Sequence, residues 1–172
     1  MNILGIDPGK TGAFALLTEH RKVVQITPIP LVKAAKGNES YDIDAIILLL
    51  KQSKQTGEVI AFIEKQQIFP SQGAVSGGNL MFGYGLLIGV IRTLEIPMRI
   101  ITAKEWNNSI FKGMPPLESK DHKKERSIQV ALSLYPQDRE KMIRGKSKKI
   151  DHNLAEALLI AEYGVSMLCQ PL

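Results

Sequence analysis

Asn2-Ile3-Leu4-Gly5-Ile6-Asp7-Pro8-Gly9 opens the chain, and its reading decides the fold. Asn2 to Ile6 predicts a strand that Asp7 ends. Asp7-Pro8-Gly9 is turn chemistry, because Pro presets φ and Gly tolerates the left-handed region. Gly12 to Leu17 and Val23 to Pro28 predict two more short strands, and together the three make an antiparallel N-terminal meander. Leu31 to Ser40 reads as a loop. Asp42 to Gln55 predicts a helix with Ile43, Ile46, Ile47 and Leu50 on one face. Val59 to Glu64 is an apolar run closed by one carboxylate, the pattern of a buried strand.

Beyond it, Phe69 to Gly78 reads as a loop and Asn79 to Leu94 as a helix, despite Gly83, Gly85 and Gly89 within it. Each interior glycine costs a helix up to ~1 kcal/mol relative to Ala. Gly85 and Gly89 share a face, so that face is expected to pack closely on the sheet or on a second subunit. Met98 to Thr102 predicts a strand, Ala103 to Ile110 a short helix, and Asp121 to Tyr135 a helix striped by Ile128, Ala131, Leu132 and Tyr135 and stopped by Pro136. Gln137 to Ile150 reads as basic and mobile, and His152 to Leu168 as the last helix. Three strands, helix, strand, helix, strand, then helices give the α/β class with one mixed sheet. A length of 172 residues predicts one domain.

The formal charge is +5, and its placement is uneven. Lys112 to Lys149 holds eleven basic residues against five acidic ones, and the rest of the chain is close to neutral. Concentrated positive charge points to a polyanion, although a solvated lysine-rich face has the same composition. Cys169 is the only cysteine, so no internal disulfide is expected, in keeping with a reducing compartment. No secretory or membrane-spanning segment is expected: Asp7 interrupts the first apolar run, and Leu80 to Ile91 is short and ends at Arg92.

Three carboxylates stand where folding gains little from them. Asp7 and Glu64 end apolar strands expected to be neighbours, and Glu156 lies within Leu154-Ala155-Glu156-Ala157-Leu158-Leu159-Ile160-Ala161. Singly, each has an ordinary explanation: Asp7 opens a turn, Glu64 pairs with a lysine, Glu156 completes a capping box with Asn153. Together they describe clustered carboxylates, which repel one another and resist burial in charged form. A divalent cation relieves both costs, and all-oxygen ligands suit Mg²⁺ or Mn²⁺.

The ordered set of motifs resembles the RuvC-type Holliday junction resolvases of the RNase H-like superfamily. Leu4-Gly5-Ile6-Asp7-Pro8-Gly9 with Thr11-Gly12 resembles their opening motif, and Phe62-Ile63-Glu64 their second acidic strand. Ser76-Gly77-Gly78, Gly83-Tyr84-Gly85 and Gly89 resemble a helix of the chloroplast and phage members. Ile101 to Trp106, Lys124 to Ser127 and Leu134-Tyr135-Pro136 continue the likeness, and Asp151 to Ala161 resembles the C-terminal catalytic helix. Glu156 stands where the best-known bacterial enzymes carry Asp, and Asn153 where they carry a second acid. His four residues before Glu fits the chloroplast-like pattern.

The resemblance implies an RNase H-like fold, a mixed sheet flanked by helices, and a homodimer that resolves four-way DNA junctions by paired symmetric nicks. It implies Asp7, Glu64 and Glu156 as catalytic metal ligands, with His152 beside them. Two Mg²⁺ ions about 3.5–4 Å apart, for which Mn²⁺ would substitute, would carry out the phosphodiester hydrolysis. Between His152 and Asp151 as the fourth site residue, helical spacing favours His152, four residues from Glu156, and places Asp151 as the N-cap. Lys112, Lys120, Lys123, Lys124, Lys146, Lys148 and Lys149 are expected to hold DNA backbones. Phe69 is placed either to wedge into the junction centre or to pack within its own loop, and Trp106 reads as core. The expected location is the cytoplasm of a bacterium, phage-encoded or not, or a DNA-containing organelle, with no membrane partner. A related nuclease acting on RNA, or a catalytically silent junction binder, fits much of the same pattern. An actin-like kinase, suggested by Asp7-Pro8-Gly9-Lys10-Thr11-Gly12, needs two domains and a longer chain.

Overall fold

A computed structural model describes residues 1–33, 39–68, 73–116 and 119–168. Cys169 and Phe69 therefore lie outside the described residues. The elements are β1 (Asn2–Asp7), β2 (Ala13–Thr18), β3 (Val23–Pro28), β4 (Leu31–Lys33), β5 (Glu39–Tyr41), α1 (Ile43–Gln55), β6 (Val59–Glu64), α2 (Ala74–Thr93), β7 (Met98–Ile101), α3 (Ala103–Ile110), α4 (Lys120–Leu134) and α5 (His152–Leu168). A 3-10 helix, Pro136–Met142, links α4 to the last segment.

The main sheet has the order β3-β2-β1-β6-β7. β1, β2 and β3 form the expected antiparallel meander, while β6 pairs parallel to β1 and β7 parallel to β6. Alternation along the central strands feeds two cores. Ile3, Ala13, Ala15, Leu17 and Phe62 face α5, with Trp106 and Ala131 beside them. Leu4, Ile6, Phe14, Leu16, Ala61 and Ile63 face Ile46, Leu50, Leu87 and Ile91 of α1 and α2 on the other side.

α5 lies almost on the backbone of β1. A Cβ on Gly5 would stand 2.2 Å from the Ala157 carbonyl oxygen and 2.4 Å from the Ala161 nitrogen. One on Gly164 would meet the side chains of Ile3 and Phe62. These contacts fix where Glu156, the neighbour of Ala157, sits over the sheet.

The structure departs from the sequence reading in three places. Leu31 to Ser40 is not all loop, because β4 and β5 pair as an antiparallel hairpin; Tyr41, buried at its end, anchors it in the core. α2 begins at Ala74, inside the stretch read as loop, because two adjacent glycines do not prevent helix where packing holds it. Of the two partners expected for the Gly85–Gly89 face, the sheet is not the one: α2 turns Tyr84, Leu87 and Ile91 to the core, and nothing approaches an added Cβ at Gly85 or Gly89; a Cβ on Gly83 would collide with the Tyr41 ring and hydroxyl. Gln137 to Ile150 is tied down by ion pairs Lys141–Asp138 at 2.8 Å and Arg144–Asp151 at 2.5 Å, and by a bridge between Ile143 and Ile150. By length and composition α2 is apolar enough to cross a membrane, yet here one of its sides completes the core. Its other side leaves Phe82 63% and Val75 80% exposed.

Gly5→Ala is expected to cost about 3 kcal/mol, since overpacking against backbone cannot relax by side-chain rotation. Gly78→Ala, which meets open space in α2, is expected to gain about 0.5–1 kcal/mol. Urea unfolding of the two variants checks both signs.

Candidate active site

Asp7 and Glu64 reach the same place because β1 and β6 are parallel neighbours. Their register pairs Gly5 with Phe62 and Ile6 with Ile63, so one step further brings the two carboxylates side by side at the strands' C-terminal ends. That edge is where open α/β sheets place their ligands. The turn beyond Asp7 folds back tightly: the Gly12 N–H donates to the Gly9 carbonyl at 3.0 Å, and a Cβ on Gly12 would stand 2.0 Å from the Asp7 carbonyl oxygen. Gly9 holds φ +133°. The motif's glycines are thus set by the backbone around Asp7.

Glu156 joins them from α5. Burial pushes the Asp7 carboxyl well above its ordinary range, and the charges of Glu156, Glu64 and Asp151 raise it further against a lowering by Arg144. Glu64 is raised by burial and opposed by hydrogen bonds from Trp106 and Gln66. Burial pushes Glu156 up to about 7, the Ser127 hydroxyl lowers it, and Glu64 adds to the rise. Among the described residues no lysine, arginine or histidine forms an ion pair with any of the three.

Neutral donors orient these carboxylates. Trp106 Nε1 donates to Glu64 Oε2 at 2.6 Å from α3, and Ser127 Oγ to Glu156 Oε1 at 3.1 Å from α4. Glu64 is thus held by Trp106 and Gln66, and Glu156 is held at Oε1 by Ser127. Trp106 is buried core as expected, but its polar edge serves the site. The signal for this was available: a buried indole N–H needs an acceptor, and Ser127 interrupts the face that continues at Ala131 and Tyr135.

Asp151 accepts the Asn153 N–H at 2.9 Å, capping α5, and pairs with Arg144. The same arginine donates to the carbonyl of Thr11 at 2.6 Å, stitching the β1–β2 turn to the start of α5. His152 is half-buried on the first turn, four residues before Glu156. Burial, then the charges of Lys124 and Arg144, lower its pKa while Asp151 raises it, so its imidazole is neutral near pH 7.

The cations are divided in the fold. Lys124 acts on Glu156 and His152, placing it by the carboxylates. Lys112 and Lys123 are exposed around a separate cleft between α3 and α4, and Lys146, Lys148 and Lys149 are exposed on the segment between Arg144 and Asp151. Lys120 opens α4, its side chain outside the described residues.

The donor set is that of a hard-cation site: carboxylate oxygens, repelling and unpaired. Among the described residues no three His, Cys, Asp or Glu side chains are closed into a ready metal cage. The fit is therefore of chemistry and place, with the cage open.

The fold is RNase H-like, a five-stranded mixed sheet flanked by helices. Thermus thermophilus RuvC in complex with a Holliday junction substrate aligns over 98% of this chain and 95% of its own, at TM-score 0.59 and 12% identity. A structure of Thermus thermophilus RuvC alone aligns over 98% and 96%, at TM-score 0.56 and 15% identity. The yeast mitochondrial Holliday junction resolvase Ydc2 aligns over 95% of this chain and 77% of its own, at TM-score 0.55 and 14% identity. No family model and no curated protein matches the sequence.

The raised carboxylates make stability depend on pH. Glu156 moves from the ordinary 4.5 to about 7, so its contribution is complete below the lower value and lost as pH rises through the upper one. Metal-free protein is expected to lose on the order of 3 kcal/mol from this group between about pH 4 and pH 8. Glu156→Gln is expected to flatten the slope, and excess Mg²⁺ to restore stability at the alkaline end. Chemical denaturation across that range, with and without chelator, reads all three.

Proposed function

We propose that the chain is a divalent-metal-dependent DNA endonuclease that resolves four-way junctions by paired nicks. The observation that carries this is the convergence of three unpaired carboxylates at the C-terminal ends of β1 and β6, on a fold shared along its length with junction resolvases. Asp7, Glu64 and Glu156 would hold Mg²⁺, or Mn²⁺ in its place, as one or two ions. When bound, the metal supplies a polarised phosphate and a water of lowered pKa.

The chain's own residues do the rest. Trp106 and Ser127 each hold an oxygen of one glutamate, so the two carboxylates need little reorganisation. His152, neutral near pH 7, accepts or passes a proton at the mouth of the site or adds a nitrogen ligand; Asp151, engaged by Arg144 and by the α5 backbone, is the less available of the two. Lys124 beside Glu156 offsets part of the negative charge as a phosphate arrives. Lys146, Lys148 and Lys149 are placed to touch DNA backbones, contacts that set register but read no sequence. Such an enzyme works where DNA is, in a cytoplasm or an organelle.

Paired nicks require two sites, which a C₂ dimer supplies. The uncovered face of α2, with Phe82, Gly85 and Gly89 in line, is the surface proposed for it.

The test is cleavage of a synthetic mobile four-way junction against linear duplex and RNA duplex, with Mg²⁺ and with chelator. Metal-dependent, symmetric, religatable cuts in the junction alone are expected. Asp7→Asn, Glu64→Gln and Glu156→Gln should each lower the rate at least ~10³-fold while keeping junction binding, the scale of loss for an electrostatic group at the reacting centre. Preferential cutting of RNA would move the substrate, and binding without cutting under any metal would remove the enzyme. Phe82→Glu should leave a monomer by light scattering that no longer makes paired cuts.

A further inference from the structure

We propose that the cleft between α3 and α4, whose lining includes none of the catalytic carboxylates, binds a nucleic-acid backbone segment other than the one being cut. The inference rests on the nuclease reading and extends it to a second contact with the same substrate.

The cleft has a volume of about 710 Å³ and is lined in part by Lys104 and Asn108 of α3, Phe111 and Lys112 beyond it, and Lys123 and Arg126 of α4. Four cations surround it, and no acidic side chain lines it among the described residues. Lys104, Lys112 and Lys123 are exposed and, among the described residues, form no ion pair there. That differs from the charge-rich segment further on, where Arg139, Lys141 and Arg144 are already paired with acids. Like charges gathered without counter-charges raise the local potential and favour a polyanion.

Arg126 is held in place rather than free in solvent. Its guanidinium lies 5.6 Å from the centre of the Phe111 ring and donates to the Pro115 carbonyl. A planar fork fixed in this way, with donors to spare, suits a phosphate's oxygens. The Asn108 amide adds a neutral polar group at the rim.

The same helices address both places. Trp106 of α3 reaches Glu64, and Lys124 and Ser127 of α4 face Glu156. Lys123 and Arg126, turned round the helix from them, face the cleft. Phe111, under Arg126, is in ring contact with Trp106 at 5.8 Å. A strand held in the cleft is therefore positioned by the same two helices that orient Glu64 and Glu156. A duplex arm offers a second backbone across its grooves, and a four-way junction offers those of its neighbouring arms as well.

The experiment is fluorescence anisotropy of a labelled immobile four-way junction in chelator, over a series of salt concentrations. It compares wild type, the triple variant Lys104→Ala/Lys112→Ala/Lys123→Ala, and a charge-matched control, Lys22→Ala/Lys33→Ala/Lys51→Ala, taken from exposed positions elsewhere. The cleft variant is expected to bind at least about tenfold more weakly and to lose roughly 0.9 of salt slope per phosphate contact removed. The control should stay within about twofold of wild type, because it removes only diffuse charge. Equal losses in both variants, or none in the cleft variant, would overturn the assignment while leaving the nuclease reading intact. Wild type that neither binds nor cuts any DNA would refute the nuclease reading itself, and the cleft assignment with it.

Discussion

The close approach of α5 to β1 governs this structure. Gly5 lets the backbone of Ala157 and Ala161 come within the distance a single Cβ would occupy, and that contact carries Glu156 to the end of β1. The parallel pairing of β1 with β6 brings Glu64 to the same edge. Three carboxylates separated by up to 149 positions thus meet through two backbone contacts, one helix to strand and one strand to strand. Neither contact involves a carboxylate, so the fold is stabilised by apolar burial and the acidic cluster is carried at a cost.

That cost is visible in the elevated pKa values. Asp7, Glu64 and Glu156 are all pushed up, chiefly by burial, and no cation of the chain pairs with them among the described residues. Arg144 comes nearest to doing so but is spent on Asp151 and on the β1–β2 turn. Indole and hydroxyl donors orient the glutamates without neutralising them. Apolar residues of similar size in their place would be expected to cost the fold less; the proposed role for the cluster is to receive positive charge from outside.

Much of this was legible in the sequence because it follows from local chemistry. A carboxylate closing an apolar run marks Asp7 and Glu64, and the Pro8-Gly9 turn marks the strand end. The meander, β6, α3 and α5 come from periodicity and breakers alone. What escaped was decided at long range. Tyr41 anchors the β4–β5 pair in a stretch whose Lys, Asn, Glu and Ser read as loop; helix persists through Gly77 and Gly78 because α2 packs on the core; Arg144 and Asp138 organise a segment whose composition reads as mobile. The charge run from Lys112 to Lys149 looked uniform in one dimension, but helix geometry turns Lys124 toward the carboxylates and Lys123 toward a separate cleft. Trp106 was legible as core, while its bond to Glu64 depends on a residue forty-two positions away.

Trp106 is the only tryptophan in the chain and is bonded directly to Glu64, so the protein carries its own reporter of the site. Titrating Mn²⁺ into metal-free protein while following intrinsic fluorescence, with wild type beside Asp7→Asn and Glu156→Gln, tests the claim that the three carboxylates form one metal site. The account predicts saturable quenching of Trp106 in wild type that weakens sharply in both variants, although neither substituted residue touches the indole. Quenching that is absent in wild type, or unchanged when Asp7 and Glu156 lose their charge, would contradict it.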